Sequence, residues 1–178
     1  MRFTQQSLIS DRSDTADGMQ VAGPNEGYVV NVALVYQDAL TRQRAEQVRE
    51  QLGEVVGEEA IHCTEWKIGD LEEPRVYSEG VRALARADVI VVSLYEAERF
   101  PSVFYLWVNL WLQVRSEFPG ALVALVVPGK ESRLGANETR RYLHAVASQG
   151  RLELLESNQP GRPTRDLREQ SFQWCKAA

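Results

Sequence analysis

Apolar residues in this chain fall into five short runs separated by amphipathic stretches, and this alternation predicts its elements. YVVNVALVY, residues 28–36, is a β-branched run too apolar for a half-exposed edge and predicts a buried strand. In DALTRQRAEQVREQLG, Leu40, Ala45, Val48 and Leu52 recur at helical spacing. Asp38 is placed to cap that helix and Gly53 to close it. AIHCTEWKI, residues 60–68, alternates well enough to predict a second strand. A helix follows from Glu72 or Tyr77 to Ala87, turning Val76, Val81 and Leu84 inward. DVIVVSLY is apolar almost throughout, as a strand buried on both faces must be. PSVFYLWVNLWLQVRSE carries Pro101 in its first turn and predicts a helix over 101–118. PGALVALVV predicts a fourth strand, ANETRRYLHAVASQG a helix ending at Gly150, and RLELLE a short fifth strand.

Strands alternating with helices of this length build a parallel sheet with helices on both faces. Right-handed crossovers leave few arrangements. The expected fold is α/β, a three-layer αβα sandwich whose five-stranded parallel sheet has the flavodoxin-like order 2-1-3-4-5. In such a sheet a ligand meets the carboxyl ends of the strands where the order reverses, between strands 1 and 3. That edge brings Tyr36, Gln37 and Asp38 opposite Ser93, Leu94, Tyr95 and Glu96, with Trp66 at the end of the second strand as a further wall. The candidate ligand-binding residues are therefore Asp38, Ser93, Tyr95, Glu96 and Trp66.

Composition narrows the picture without changing it. The chain has 178 residues, enough for one domain with extensions. Residues 1–27 are polar and read as a flexible leader, 28–155 as the domain, and 156–178 as a C-terminal extension. A net charge of −5 disfavours nucleic acid and anionic membranes as partners. The N-terminus lacks the apolar core of a signal peptide, no apolar run is long enough to span a membrane, and the two cysteines are far apart, so the expected location is the cytoplasm.

Several chemistries lack their groups. The chain contains neither GxGxxG nor GxxxxGK[ST]. A flavin phosphate needs a small-residue loop at a helix N-terminus, but YQDALTR offers no glycine and a carboxylate instead. Zinc needs three or four convergent ligands; His62 and Cys63 are adjacent in a strand and point to opposite faces, and His144 lies on another helix. A nucleophilic Ser93 would need a base, and neither histidine is near. No catalytic residue, metal or cofactor is expected.

Helix 101–118 is apolar over an arc of roughly 260° at 100° per residue, whereas a helix lying on a sheet needs only about 100°. Phe104, Tyr105, Trp107, Val108, Trp111 and Leu112 are thus candidate interface residues, covered either by a partner, most simply a second copy, or by Phe172 and Trp174 of the C-terminal extension.

VALVYQDALTRQRAEQVREQL, EWKIGDLEEP, ADVIVVS with the FPSVFYLWVNLWL helix, and GALVALV together resemble a family of small, uncharacterised bacterial α/β proteins with a receiver-like core. The likeness spans about residues 28–155 and implies fold rather than activity. Against the receiver domain of two-component signalling, the third strand carries Ser93 where the phosphoacceptor aspartate belongs, and only Asp38 follows the first strand. One carboxylate and a hydroxyl cannot complete a magnesium site. DVIVVSLY with its Ser-plus-aromatic helix start also resembles a TIR domain over some twenty residues. That alignment puts Val108 and Asn109 where a NAD-cleaving enzyme has glutamate, leaving only Glu96 and Glu98 in the preceding loop. The leading expectation is a non-enzymatic regulatory or protein-interaction domain, receiver-like but without the phosphoacceptor. The alternative is a small-molecule or nucleotide-binding protein, or weak hydrolase, working at the strand 1/strand 3 edge.

Overall fold

The computed structural model describes residues 28–97, 99–115, 119–128 and 133–157. The leader 1–27, Glu98 and the C-terminal stretch with Phe172 and Trp174 lie outside the described residues. Five strands, β1 (Val30–Tyr36), β2 (Ile61–Lys67), β3 (Val89–Tyr95), β4 (Gly120–Val127) and β5 (Leu152–Ser157), pair in parallel in the order β2-β1-β3-β4-β5. Four helices connect them: α1 (Ala39–Val56), α2 (Pro74–Arg86), α3 (Ser102–Val114) and α4 (Arg133–Gln149). The expected sheet order is the observed one.

Because side chains alternate along a strand, each strand feeds two cores. Val32, Leu34, Val91, Val123 and Leu125 pack on the α1 side around Ala45. Ala33, Val35, Ile90, Val92, Leu94, Leu122 and Ala124 pack on the other side, under α2, α3 and α4. The central strands β1, β3 and β4 are buried nearly throughout, as their unbroken apolar runs require.

The helix ends differ from expectation in informative ways. Asp38 caps α1 as foreseen, and Thr41 completes the capping box. Thr41 is thereby turned inward and fully buried, while Leu40, expected inside, is 47% exposed. α1 also runs through Gly53 to Val56. Gly53 is buried against the Glu58 side chain, and Gly57, at φ 94, ends the helix by donating its N–H to the Gly53 carbonyl at 2.9 Å. α3 stops at Val114 instead of 118, because Arg115 turns extended and spends its guanidinium on other helices. Its Nη1 reaches the carbonyls of Leu84 and Ala87, both at 3.0 Å, and its Nε that of Gly150 at 3.2 Å. Among the described residues, no helix is long and apolar enough to cross a membrane.

Candidate functional site

The sheet order reverses at β1, which has β2 on one flank and β3 on the other, so the carboxyl ends of β1 and β3 form the switch point. Tyr36 and Ser93 pair in register there. Beyond them the two strand ends are joined by side chains. The Tyr95 N–H donates to Gln37 Oε1 at 2.6 Å, and the Tyr95 hydroxyl donates to Asp38 Oδ2 at 3.0 Å. Asp38 Oδ1 accepts the Thr41 N–H at 3.0 Å. Thr41 Oγ1 accepts the N–H groups of Gln37, at 3.0 Å, and Asp38, at 2.8 Å. Its own hydrogen is then left for Asp38, whose Oδ1 is 2.9 Å away. One carboxylate, one amide, one phenol and one buried hydroxyl thus fix each other.

The electrostatics follow from these bonds. The Thr41 N–H, ahead of the Thr41 and Tyr95 hydroxyls, holds the Asp38 carboxyl below its ordinary range, so it is ionised at any physiological pH. The same bond pushes the Tyr95 phenol up, because its proton is shared with an anion. Burial, and then Glu65, pushes Tyr36 up as well, with Arg42 lying 5.9 Å over its ring. Arg42 is itself engaged by Glu65 at 2.8 Å and Glu46 at 3.1 Å, so it is no free anion receptor.

A flavin phosphate does not fit this arrangement. The α1 N-terminus is the place for it, but the Asp38 carboxylate already occupies the first-turn amides there and would repel a second anion. Among the described residues, no group of three or more His, Cys, Asp and Glu side chains is placed to hold a metal ion.

The other candidates are dispersed. Ser93 is completely buried inside β3, on the α1 side, and its hydroxyl makes no hydrogen bond. It belongs to the core, because β3 runs on to Tyr95. Glu96 extends the strand ladder, donating its N–H to the Val127 carbonyl at 2.8 Å, with its side chain half-buried at the rim. Trp66 falls in register with Val35 and therefore on the α2/α3 side of the sheet, where its Nε1 donates to Thr64 Oγ1 at 3.1 Å. It walls the opposite core, away from Asp38. Gln37 lies at the edge where the sequence places it, though not among the candidate ligand-binding residues, and Thr41 was not singled out, although the Asp38-x-x-Thr41 spacing is a capping-box signature. Thr139, buried on α4 and bonded to both N–H and carbonyl of Ala97, had no sequence signal.

The tryptophan helix is also placed differently from expectation. Phe104, Trp107, Val108, Trp111 and Leu112 are all buried within their own domain, and Tyr105 is half-buried. α3 sits between α2 and α4 on the sheet, so it needs an apolar surface on three sides. What remains outside is a narrower stripe, Leu106, Leu110 and Val114, at 62%, 38% and 56% exposure. A void of about 10 Å³ lies beneath the helix, lined by Leu84, Trp107, Trp111 and Tyr142 among others, too small for any ligand.

No protein-family model and no curated relative matches the chain. Solved structures do. An oxidoreductase from Corynebacterium diphtheriae is similar at 14% identity, over 84% of this chain and 93% of its own, with a TM-score of 0.51. The flavodoxin-like domain of a Synechococcus protein is similar at 12% identity, over 83% and 99%, with a TM-score of 0.48. A Pseudomonas aeruginosa flavodoxin is similar at 12% identity, over 82% and 94%, with a TM-score of 0.45. The chain has the flavodoxin-like fold. At such identities the likeness speaks for the fold alone, and the phosphate site that this architecture offers at α1 is filled here by Asp38.

Proposed function

We propose that this chain is a small-molecule-binding domain whose recognition edge is the β1/β3 switch point, and that its ligand bears hydroxyl or amine groups and no phosphate. The observation that carries this reading is the bond from the Tyr95 hydroxyl to Asp38 Oδ2 at 3.0 Å. It holds an exposed carboxylate, ionised at physiological pH, at the place where the topology gathers strand ends. Oδ1 takes both Thr41 donors, whereas Oδ2 accepts the Tyr95 hydroxyl and has a second lone pair for a further donor, so a ligand hydroxyl or ammonium has an acceptor there. Phosphorylated compounds are opposed by the same charge.

The test is a thermal-shift screen of sugars, nucleosides and polyamines beside flavin mononucleotide and nucleotides. Stabilisation by a member of the first group, absent for its phosphorylated counterpart and lost in Asp38→Asn, is the expected result. Stabilisation by flavin mononucleotide, or binding indifferent to Asp38→Asn, sinks the reading.

A regulatory domain that acts by binding a protein is the second reading, favoured by the exposed stripe Leu106, Leu110 and Val114 on a helix whose large aromatic side chains are mostly core. Exposed apolar side chains in a row mark contact surfaces more often than three scattered ones do.

A further inference from the structure

Arg42 and Arg44 leave α1 on opposite flanks. Thr41 and Ala45 are turned into the core, and about 100° per residue then sends Arg42 to one side of them and Arg44 to the other. Arg42 goes toward β2, where Glu65 holds it at 2.8 Å. α1 lies over β1 and β3, so the opposite flank, with Arg44, faces β3. The charge of Arg44 is felt there: the Tyr95 phenol is pushed up first by its bond to Asp38, and Arg44 pulls it back. Arg44 is half-buried and pairs with no carboxylate among the described residues. Unlike Arg42, it is a cation held in reserve at the recognition edge.

Gln37 supplies a neutral donor to the same edge. The Tyr95 N–H can only donate, so Gln37 has to offer it the amide oxygen, at 2.6 Å. That choice fixes the amide, and its nitrogen keeps two hydrogens that meet no acceptor among the described residues. On the next residue, Asp38 Oδ2 keeps a lone pair beside the Tyr95 hydroxyl. A donor and an anionic acceptor therefore start from Cα atoms about 3.8 Å apart, within the span of one small ligand. Both are fixed by Tyr95 before any ligand arrives, which spares the ligand that ordering.

The charges of this edge are balanced, and balance selects. A phosphate or a second carboxylate on the ligand is opposed by Asp38, and a polyamine is opposed by Arg44. A zwitterion meets an opposite charge at each pole, through the charge-assisted bonds that are the strong ones. Being neutral overall, it is not repelled by a chain carrying −5. We propose that the β1/β3 edge binds a free α-amino acid, its ammonium on Asp38 Oδ2 and its carboxylate on Arg44, with the Gln37 amide donating to that carboxylate. This rests on the reading of the edge as a ligand site and narrows the class of its ligand.

Thermal unfolding of the full chain with each common L-amino acid at about 10 mM tests it, since that concentration stabilises the fold whenever the dissociation constant is millimolar or below. At least one amino acid should raise the midpoint by about 2 °C or more. Calorimetric titration then reads the poles separately. The amide of that amino acid, which lacks the carboxylate, and its N-acetyl form, which lacks the ammonium, should each bind at least about tenfold more weakly. Arg44→Gln should weaken the amino acid by a similar factor without weakening its amide, whereas Asp38→Asn should weaken both. Gln37→Glu keeps an acceptor for the Tyr95 N–H but sets a charge against the ligand carboxylate, and should abolish binding. If no amino acid raises the midpoint, or if Arg44→Gln binds it as well as the parent does, the inference is wrong. A sugar, nucleoside or polyamine whose binding needs Asp38 but not Arg44 also overturns it, while leaving the edge a binding site. Stabilisation by flavin mononucleotide overturns both. Unchanged unfolding of Arg44→Gln without ligand separates lost binding from lost folding.

Discussion

The hydroxyl of Tyr95, the last residue of β3, donates to the carboxylate of Asp38, the cap of α1, at 3.0 Å. The bond joins the end of one central strand to the start of the helix that follows the other; it raises the pKa of Tyr95 and adds to the Thr41 bonds that lower that of Asp38. Asp38 is held below its ordinary 3.8, first by the Thr41 N–H, so its contribution to stability is complete above that value and is lost as pH falls through the folded pKa. Tyr95 is held above its ordinary 10.0 by the bond to Asp38, so its contribution is present below that value and disappears as pH rises through the folded pKa. Stability should therefore be insensitive to this pair between about pH 5 and pH 9 and fall on both sides. NMR titration checks it: Tyr95→Phe should raise the Asp38 midpoint.

Capping and charge at Asp38 are separable. Asp38→Ala removes the acceptor for the Thr41 N–H and should cost about 1 kcal/mol in urea unfolding. Asp38→Asn keeps a good cap and should cost only a few tenths, yet it removes the charge on which the proposed recognition edge depends. If both variants unfold alike, the capping account of this residue fails.

Most of the fold could be read because its signals are local and repeated. Each central strand is an apolar run, each helix has a period, and handedness restricts how they connect. The errors arose where a residue had two competing uses. Gly53 looks like a helix stop but is a packing glycine beneath Glu58, and Gly57 with its positive φ takes the stop. Leu40 looks like core, but the capping box rotates Thr41 inward in its place. The site was half legible for the same reason. Asp38 and Tyr95 were placed by topology alone, whereas the burial of Ser93 depends on two further residues of strand, and the side taken by Trp66 depends on register. α3 was the hardest element, because its apolar arc does not say whether neighbouring helices or another molecule will cover it.

The closeness of α2 and α3 leaves no room for a side chain at Gly80 without a shift of Trp107. A Cβ there would lie 2.7 Å from Trp107 Cζ2 and 3.0 Å from its Nε1. Gly80→Ala gains up to about 1 kcal/mol of helix propensity, and overpacking against a fully buried indole costs about 1–3 kcal/mol. The net change should be destabilising. Adding Trp107→Phe, which removes the clashing ring atoms, should cost less in the Gly80→Ala background than in the parent. Strict additivity in this double-mutant cycle would mean that the two residues do not press on each other.

Arg115 offers the most stringent test of how the helical layer is held, because its partners are carbonyls and not carboxylates. Its Nη1 donates to Leu84 and Ala87 at the end of α2, and its Nε to Gly150 just past the end of α4. The last carbonyls of a helix have no partner within it, and a cation there also meets the negative end of the helix dipole. Burial pulls the Arg115 pKa down, but a guanidinium stays protonated, so the charge persists in a half-buried place. Arg115→Ala takes a charged donor from three carbonyls at once, of which that of Leu84 keeps the Ala87 N–H at 3.3 Å, and should cost about 2–4 kcal/mol, since each bond from a charged donor contributes about 1.5–3 kcal/mol and the three share one group. Arg115→Lys offers a single donor point in place of a fork and should recover less than half of that. The loss should be nearly the same in dilute buffer and in about 1 M salt, because screening acts on pairs of charges and only weakly on a cation bonded to dipoles. A loss that fades with salt would mean that Arg115 acts mainly through an acidic neighbour such as Asp88, and the two helices would then owe their alignment to packing alone.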